Sequence, residues 1–369
     1  MISIFFLPIF TLISVANKYE ISLRTNVAMI IYLSQFISFI LLLVFHELKL
    51  KFNSKKKIKT LILFFGSVFW LWVFTPTNIS YILKITLNIM IGYIGYRVLI
   101  QYKKISLKIL KNILILNISA LFIEFIWFTF FQNNLQIHNF LFPFSRENFI
   151  DLNSGFFRPC GLQYEPGNYS IISTILILLI YIFDKKPNTR LFVFGIISII
   201  ITKSLVGIFL AIILFIFLFF RKGYLSVKFL ISFSTLLILF MGSVLTYVFF
   251  RLDNLDTFRS LTQKIYLFDV WLQKDFLSVL KGHGIESYDN IIFDRNLGFV
   301  KDLGVLFNLF YTYGLYALFI FFWFIKEIRA NNFFQTFLLL TIIFFTKLGS
   351  LYPIFFLFIF SLAFPKKII

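Results

Sequence analysis

Residues 191–220 read LFVFGIISIIITKSLVGIFLAIILFIFLFF, an apolar run broken by Thr202, Lys203, Ser204 and Gly207. One helix of that length would extend about 45 Å, well past the roughly 30 Å of hydrocarbon in a bilayer, and would bury a lysine. Two short helices meeting at an outward turn at Lys203–Ser204 solve both problems. The stretch from Phe333 to Phe364 repeats the device, with Lys347, Gly349, Ser350 and Pro353 at its turn.

The rest of the chain follows the same rule. Of its 369 residues 60% are hydrophobic and 14% charged, against about 25% charged in a soluble domain, so most of it has no water-solvated surface to offer. Apolar runs of membrane-crossing length place spans near 1–16, 27–46, 61–75, 81–100, 113–131, 169–183, 191–202, 205–220, 229–250, 304–325, 333–346 and 350–364. The expected fold is all-α: a polytopic membrane protein of about 12 helices, since closed helices satisfy every backbone group in lipid. Residues 1–369 read as a single membrane domain. The first apolar stretch lacks a basic n-region and a small-residue cleavage site, which predicts an uncleaved first span.

A net charge of +19 raises the question of nucleic acid, and the placement of the cations answers it. Lys49, Lys51, Lys55, Lys56, Lys57 and Lys59 sit between two apolar segments, and Lys103, Lys104, Lys108 and Lys111 sit two crossings later. That alternation is the positive-inside pattern, so lipid and not nucleic acid is the expected partner. It puts both termini in the cytoplasm. The abundance of Phe, Ile, Lys and Asn is associated with the usage of AT-rich bacterial genomes, so a bacterial membrane is the expected setting.

Two loops on the opposite side are too long for turns: 132–168 and 251–303. In the second, Ile265, Phe268, Trp271, Leu272, Phe276 and Leu280 recur at helical spacing among Lys264, Lys274 and Lys281, predicting an amphipathic helix along the membrane surface over 263–281.

The first long loop closes on Phe157-Arg158-Pro159-Cys160-Gly161-Leu162-Gln163-Tyr164-Glu165-Pro166-Gly167-Asn168-Tyr169. Arg158 suits a phosphate, because guanidinium forks onto two oxygens and keeps its charge. Glu165 could take a proton from a hydroxyl nucleophile. The blander alternative is an interfacial loop, with Arg158 on lipid head groups and Glu165 in a local ion pair. Lys203 could face an outer cavity or snorkel to head groups. Glu124, about two turns inside its span, is costly to bury, and Lys84 in a neighbouring span is its expected partner. Cys160 is the only cysteine, so no intramolecular disulfide or thiolate cluster forms. His46, His138 and His283 share no metal-ligand spacing, and no P-loop or dinucleotide fingerprint occurs. No metal and no cofactor are expected. His283 stands in Gly282-His283-Gly284, a tight turn whose glycines could admit a ligand or simply turn the chain.

Taken in order, these features resemble the Wzy-type O-antigen and capsular polysaccharide polymerases, relatives of the O-antigen ligases. Arg158-Pro159-Cys160-Gly161 with Glu165-Pro166 resembles their Arg-x-x-Gly turn ahead of a span. Thr202-Lys203-Ser204-Leu205 keeps the outline of their Thr-x-Ser-Arg outer turn with no arginine, so Lys203 would supply the cation. Gly282-His283-Gly284, Asp302 and Gly314 follow in the family's order. The resemblance covers roughly Arg158 to Phe322. It implies a metal-independent membrane glycosyltransferase that polymerises repeat units carried on undecaprenyl pyrophosphate at the outer face of the cytoplasmic membrane. Arg158, Glu165 and Asp302 would be catalytic, the two carboxylates competing as base. Lys203, Arg259, His283 and Arg295 would bind substrate. Expected partners are the lipid-linked oligosaccharide, membrane lipid, and chain-length regulator and flippase proteins. The alternatives are an O-antigen ligase, which shares the architecture, and a lipid-linked oligosaccharide flippase or secondary transporter. A transporter would place polar residues near the bilayer midplane, whereas this chain gathers them in two outer loops.

Overall fold

The computed structural model describes residues 55–133, 135–137, 150–151, 156–163, 165–184, 188–219, 273, 275–285, 304–328, 333–346 and 353–364. Within them lie eleven helices: α1 (Lys55–Phe74), α2 (Ile79–Gln101), α3 (Lys103–Phe131), α4 (Pro166–Phe183), α5 (Thr189–Ile201), α6 (Leu205–Phe219), α7 (Phe276–Lys281), α8 (Val305–Tyr313), α9 (Tyr316–Glu327), α10 (Phe333–Phe345) and α11 (Pro353–Ala363). The spans expected at 1–16, 27–46 and 229–250 lie outside the described residues.

α4 is the axis of the bundle. All of its residues are buried, as expected of a helix that is apolar all round, and α3, α5, α6 and α11 pack around it. α2 lies along α11, and Gly92 permits the approach: a Cβ there would overlap the Phe356 side chain and sit 2.9 Å from Leu357 N. Small residues at such contacts let helices gain dispersion energy where lipid removes the hydrophobic drive. α1 packs on α2 and α9, and α10 on α6. The outward surface is apolar too, with Trp72 64%, Phe130 77% and Phe333 87% exposed. Rings so exposed in water would aggregate; in lipid they are solvated. Helices α1 to α4 are long and apolar enough to cross a membrane, and α5, α6, α10 and α11 are shorter apolar helices. The chain has the build of an α-helical membrane protein.

Ion pairs mark one end of the bundle. Lys56 Nζ meets Glu327 Oε2 at 2.6 Å, joining the start of α1 to the end of α9, and Lys111 Nζ meets Asp184 Oδ2 at 2.6 Å, joining the early part of α3 to the end of α4. Helices α1 and α9, and likewise α3 and α4, therefore run in opposite directions, as the span order requires.

The structure departs from the sequence reading in three places. The basic stretch expected as a loop between 100 and 113 is helical: α3 begins at Lys103 and runs 29 residues, about 43 Å. Hydropathy registers the cost of burying Lys103, Lys104 and Lys108, but lysine is a good helix former and no Gly or Pro breaks the run. The span expected at 304–325 is two helices, parted at Gly314 with φ 53°. Finally, the first long loop contains a two-stranded antiparallel ladder pairing Ile150 with Phe157 and Asp151 with Phe156, a small addition to an otherwise helical fold. Of the expected surface helix, Phe276–Lys281 is described and helical. Asp275 caps it by accepting from Ser278 N at 3.0 Å, and Trp70 Nε1 donates to Lys281 O at 3.0 Å, tying it to α1.

Candidate functional site

The turn Phe157–Gly161 is fastened along one stripe of α3. The Phe157 ring stacks on Phe128 at 4.4 Å between centroids. Glu124 Oε2 accepts from Cys160 N at 3.0 Å and from Gly161 N at 2.7 Å, while its Oε1 accepts from Ile137 N at 3.1 Å. Gly161, at φ 57°, lies against α3 backbone, where a Cβ would stand 3.0 Å from Leu121 N and 3.2 Å from Asn117 O. Only glycine meets both the left-handed conformation and the close approach. Cys160 is buried. The partners described for Glu124 are thus backbone amides of the first loop, a role that the expectation of an ion pair with Lys84 did not contain.

Arg158 sits in the middle of this turn, half-buried. Its Nε is buried without a hydrogen-bond partner among the described residues, as is Nδ2 of Asn168. The turn leads into α4 through Glu165, which caps the helix in an extended conformation ahead of Pro166; proline at the first helical position needs no N–H partner.

The α5–α6 turn closes on the same end of α4. Ser170 Oγ and Thr202 Oγ1 are 3.0 Å apart, and Thr202 Oγ1 also accepts from Ser204 N at 3.3 Å. Ser204 Oγ accepts from Gly207 N at 3.4 Å, capping α6. A Cβ at Gly207 would overlap the Ser170 hydroxyl, and one at Gly167 would lie 3.6 Å from Ser204 Oγ and 3.9 Å from Glu165 Oε1. Tyr169 O–H donates to Ser198 Oγ at 2.9 Å, adding a second α4–α5 bond. Lys203 stands in this turn, outside both helices, at φ 50°. Burial, and then the charge of nearby Arg158, hold its ammonium below the usual lysine range. Two cations therefore lie near each other at the start of the axial helix, with the Glu165 carboxylate beside the same turn.

The junction is recessed: from Glu124 to the α3 terminus at Phe131 is about 10 Å along the axis. It offers guanidinium, ammonium and amide donors to an anion and the Glu165 carboxylate to a hydroxyl proton.

His283 belongs to a different set of contacts. Its N–H donates to Tyr311 O at 2.8 Å and its ring lies 4.6 Å from that of Tyr311. Gly284 N donates to Thr312 O at 3.1 Å, and Leu315 N donates to Leu280 O at 2.8 Å. Cβ atoms at Gly282 or Gly314 would collide with the opposing backbone, and one at Gly284 would strike the Thr75 and Thr77 hydroxyls. The glycines of this motif thus admit a second stretch of backbone, which satisfies the groups exposed by the break between α8 and α9. Asp302, Arg259 and Arg295 lie outside the described residues. Gly304 packs near Phe344 O, and Phe345 meets the Phe209 ring of α6 at 4.9 Å, so the start of α8 shares the end of the bundle occupied by the α5–α6 turn. Among the described residues no three His, Cys, Asp or Glu side chains gather into a metal-binding group.

Sequence reading singled out Arg158, Glu165 and Lys203, and the fold brings them to one place. It gave no role to Asn168 or to Ser170, whose only signal was their position where the turn meets the span that follows it. No protein-family model, curated protein or solved structure matches this chain.

Proposed function

We propose that the chain is a membrane glycosyltransferase that joins lipid-diphosphate-linked oligosaccharide repeat units into a polymer at the outer face of a bacterial cytoplasmic membrane, with both termini in the cytoplasm. The observation that carries this reading is the meeting of Arg158, Lys203 and Glu165 at the recessed end of α4. The basic stretches of α1 and α3 lie at the opposite end with the Lys56–Glu327 and Lys111–Asp184 pairs, which favours a cytoplasmic assignment for that end and an outer one for the site.

The chemistry follows from the charges. An acceptor sugar hydroxyl attacks the anomeric carbon of the donor, the bond from that carbon to the diphosphate oxygen breaks, and the polyprenyl diphosphate departs with the electron pair. Arg158 and Lys203 stabilise the negative charge that grows on the leaving oxygen, and Asn168 Nδ2 supplies a further donor. Glu165 takes the hydroxyl proton, with Asp302 as the competing base. Without an anion two cations repel; a diphosphate between them offsets that repulsion and favours the charged form of Lys203.

The test is a gel of surface glycan from cells carrying the wild-type gene, a deletion and Arg158→Ala. We expect the long ladder to collapse to single-repeat glycan in the deletion and in Arg158→Ala, with the variant as abundant in the membrane as wild type. An unchanged ladder would oppose the reading, and loss of all surface glycan would favour a ligase or flippase. Glu165→Gln and Asp302→Asn should differ in severity, the more severe marking the base.

A further inference from the structure

We propose that Glu124 is a positioning residue, a buried carboxylate that clamps both ends of the first long loop and thereby aims Arg158. The proposal rests on the reading above that the Arg158 turn is the reaction centre. Glu124 is fully buried. It accepts three backbone N–H bonds, one from Ile137 near the start of the 132–168 loop and two from Cys160 and Gly161 near its end. A carboxylate has about four acceptor positions on two oxygens, and turn amides outside regular structure need such a partner once water is excluded.

The clamp has a second arm. Asn117, Leu121, Glu124 and Phe128 fall at intervals of four, three and four residues on α3, which is one face of a helix. Gly161 lies against the backbone of the first two, Cys160 and Gly161 bond to the third, and Phe157 stacks on the fourth. Arg158 is therefore pinned on both sides along the chain, by Phe157 before it and by Cys160 and Gly161 after it. Its own Nε contributes nothing to that anchoring among the described residues, which leaves that N–H for a ligand.

Cys160, the only cysteine of the chain, reports on the clamp without reference to glycan. In membranes carrying the full-length protein, N-ethylmaleimide should label Cys160 slowly in wild type. It should react about tenfold faster or more in Glu124→Ala, and at an intermediate rate in Glu124→Gln, which retains one acceptor oxygen. A control thiol, Ser361→Cys on α11 in a Cys160→Ala background, should stay protected with and without Glu124→Ala. Unchanged labelling of Cys160 would overturn the clamp, and exposure of the α11 thiol as well would show a general loosening and overturn it too. The glycan ladder separates this from the functional reading. Glu124→Gln should shorten the chains at unchanged protein abundance. Faster labelling beside a wild-type ladder in both Glu124→Gln and Arg158→Ala would remove the reaction centre from this turn and the positioning role with it. A collapsed Arg158→Ala ladder with a still-protected Cys160 in Glu124→Ala would sink the clamp alone.

Discussion

Lys203 is held in a conformation and a charge state that both work against stability. A non-glycine residue at φ 50° costs of order 1 kcal/mol, less for asparagine than for lysine, and burial beside Arg158 disfavours the ammonium. Because the folded pKa lies below the unfolded one, the unfolded chain binds more protons in the alkaline window under the ordinary lysine value. Stability is therefore reduced at neutral pH and recovers as pH rises towards that value. Lys203→Asn should raise the thermal midpoint of the purified protein near neutral pH and flatten its alkaline rise, while cutting polymer formation roughly 10²-fold. A thermal shift series across pH checks the first part and the glycan ladder the second; a variant both less stable and fully active would contradict the assignment. Charges in an apolar setting are conspicuous, which is why Arg158, Glu165, Lys203 and Glu124 were all legible in the sequence. The partners of Glu124 were not, because backbone amides carry no sequence signature and the 36 and 37 residues separating it from Cys160 and Gly161 span a long loop.

At the scale of elements, the site exists because the α5–α6 hairpin closes on the first turn of α4. The apolar run at 191–220 announced that hairpin and its turn at Thr202–Ser204 matches the expected place. What the run could not show was its neighbour, since Ser170, Thr202 and Gly207 meet only through helix packing. A cross-link tests the contact. In a Cys160→Ala background, Gly167→Cys with Ser204→Cys should place Cβ atoms near the 3.5–4.5 Å that a disulfide needs. Mild oxidation should abolish addition of two polyethylene-glycol maleimides, reductant should restore it, and each single variant should keep its one addition. Two additions after oxidation would mean that turn and hairpin do not meet. The helix ends were less legible for a different reason. Lys103–Lys111 is polar enough to leave the membrane and still helical, and the break at Gly314 is set by the Leu280–Gly284 backbone packed against it, a partner some thirty positions away.

Across the whole molecule, an apolar axial helix has all its residues buried and carries its polar groups at one end, while the helices around it turn aromatic rings outwards. On the proposed function, that organisation suits a substrate whose long hydrocarbon tail stays in lipid while its charged diphosphate reaches the partly buried junction, where cations act more strongly than in open water. The direct measurement is a reconstitution of the purified full-length protein in liposomes with lipid-linked repeat units extracted from its host strain. The account predicts chains of two or more repeats, one polyprenyl diphosphate released for each bond formed, and neither product with Arg158→Ala. Single repeats left intact on their lipid by the wild-type protein, in vesicles where it is correctly folded, would contradict it.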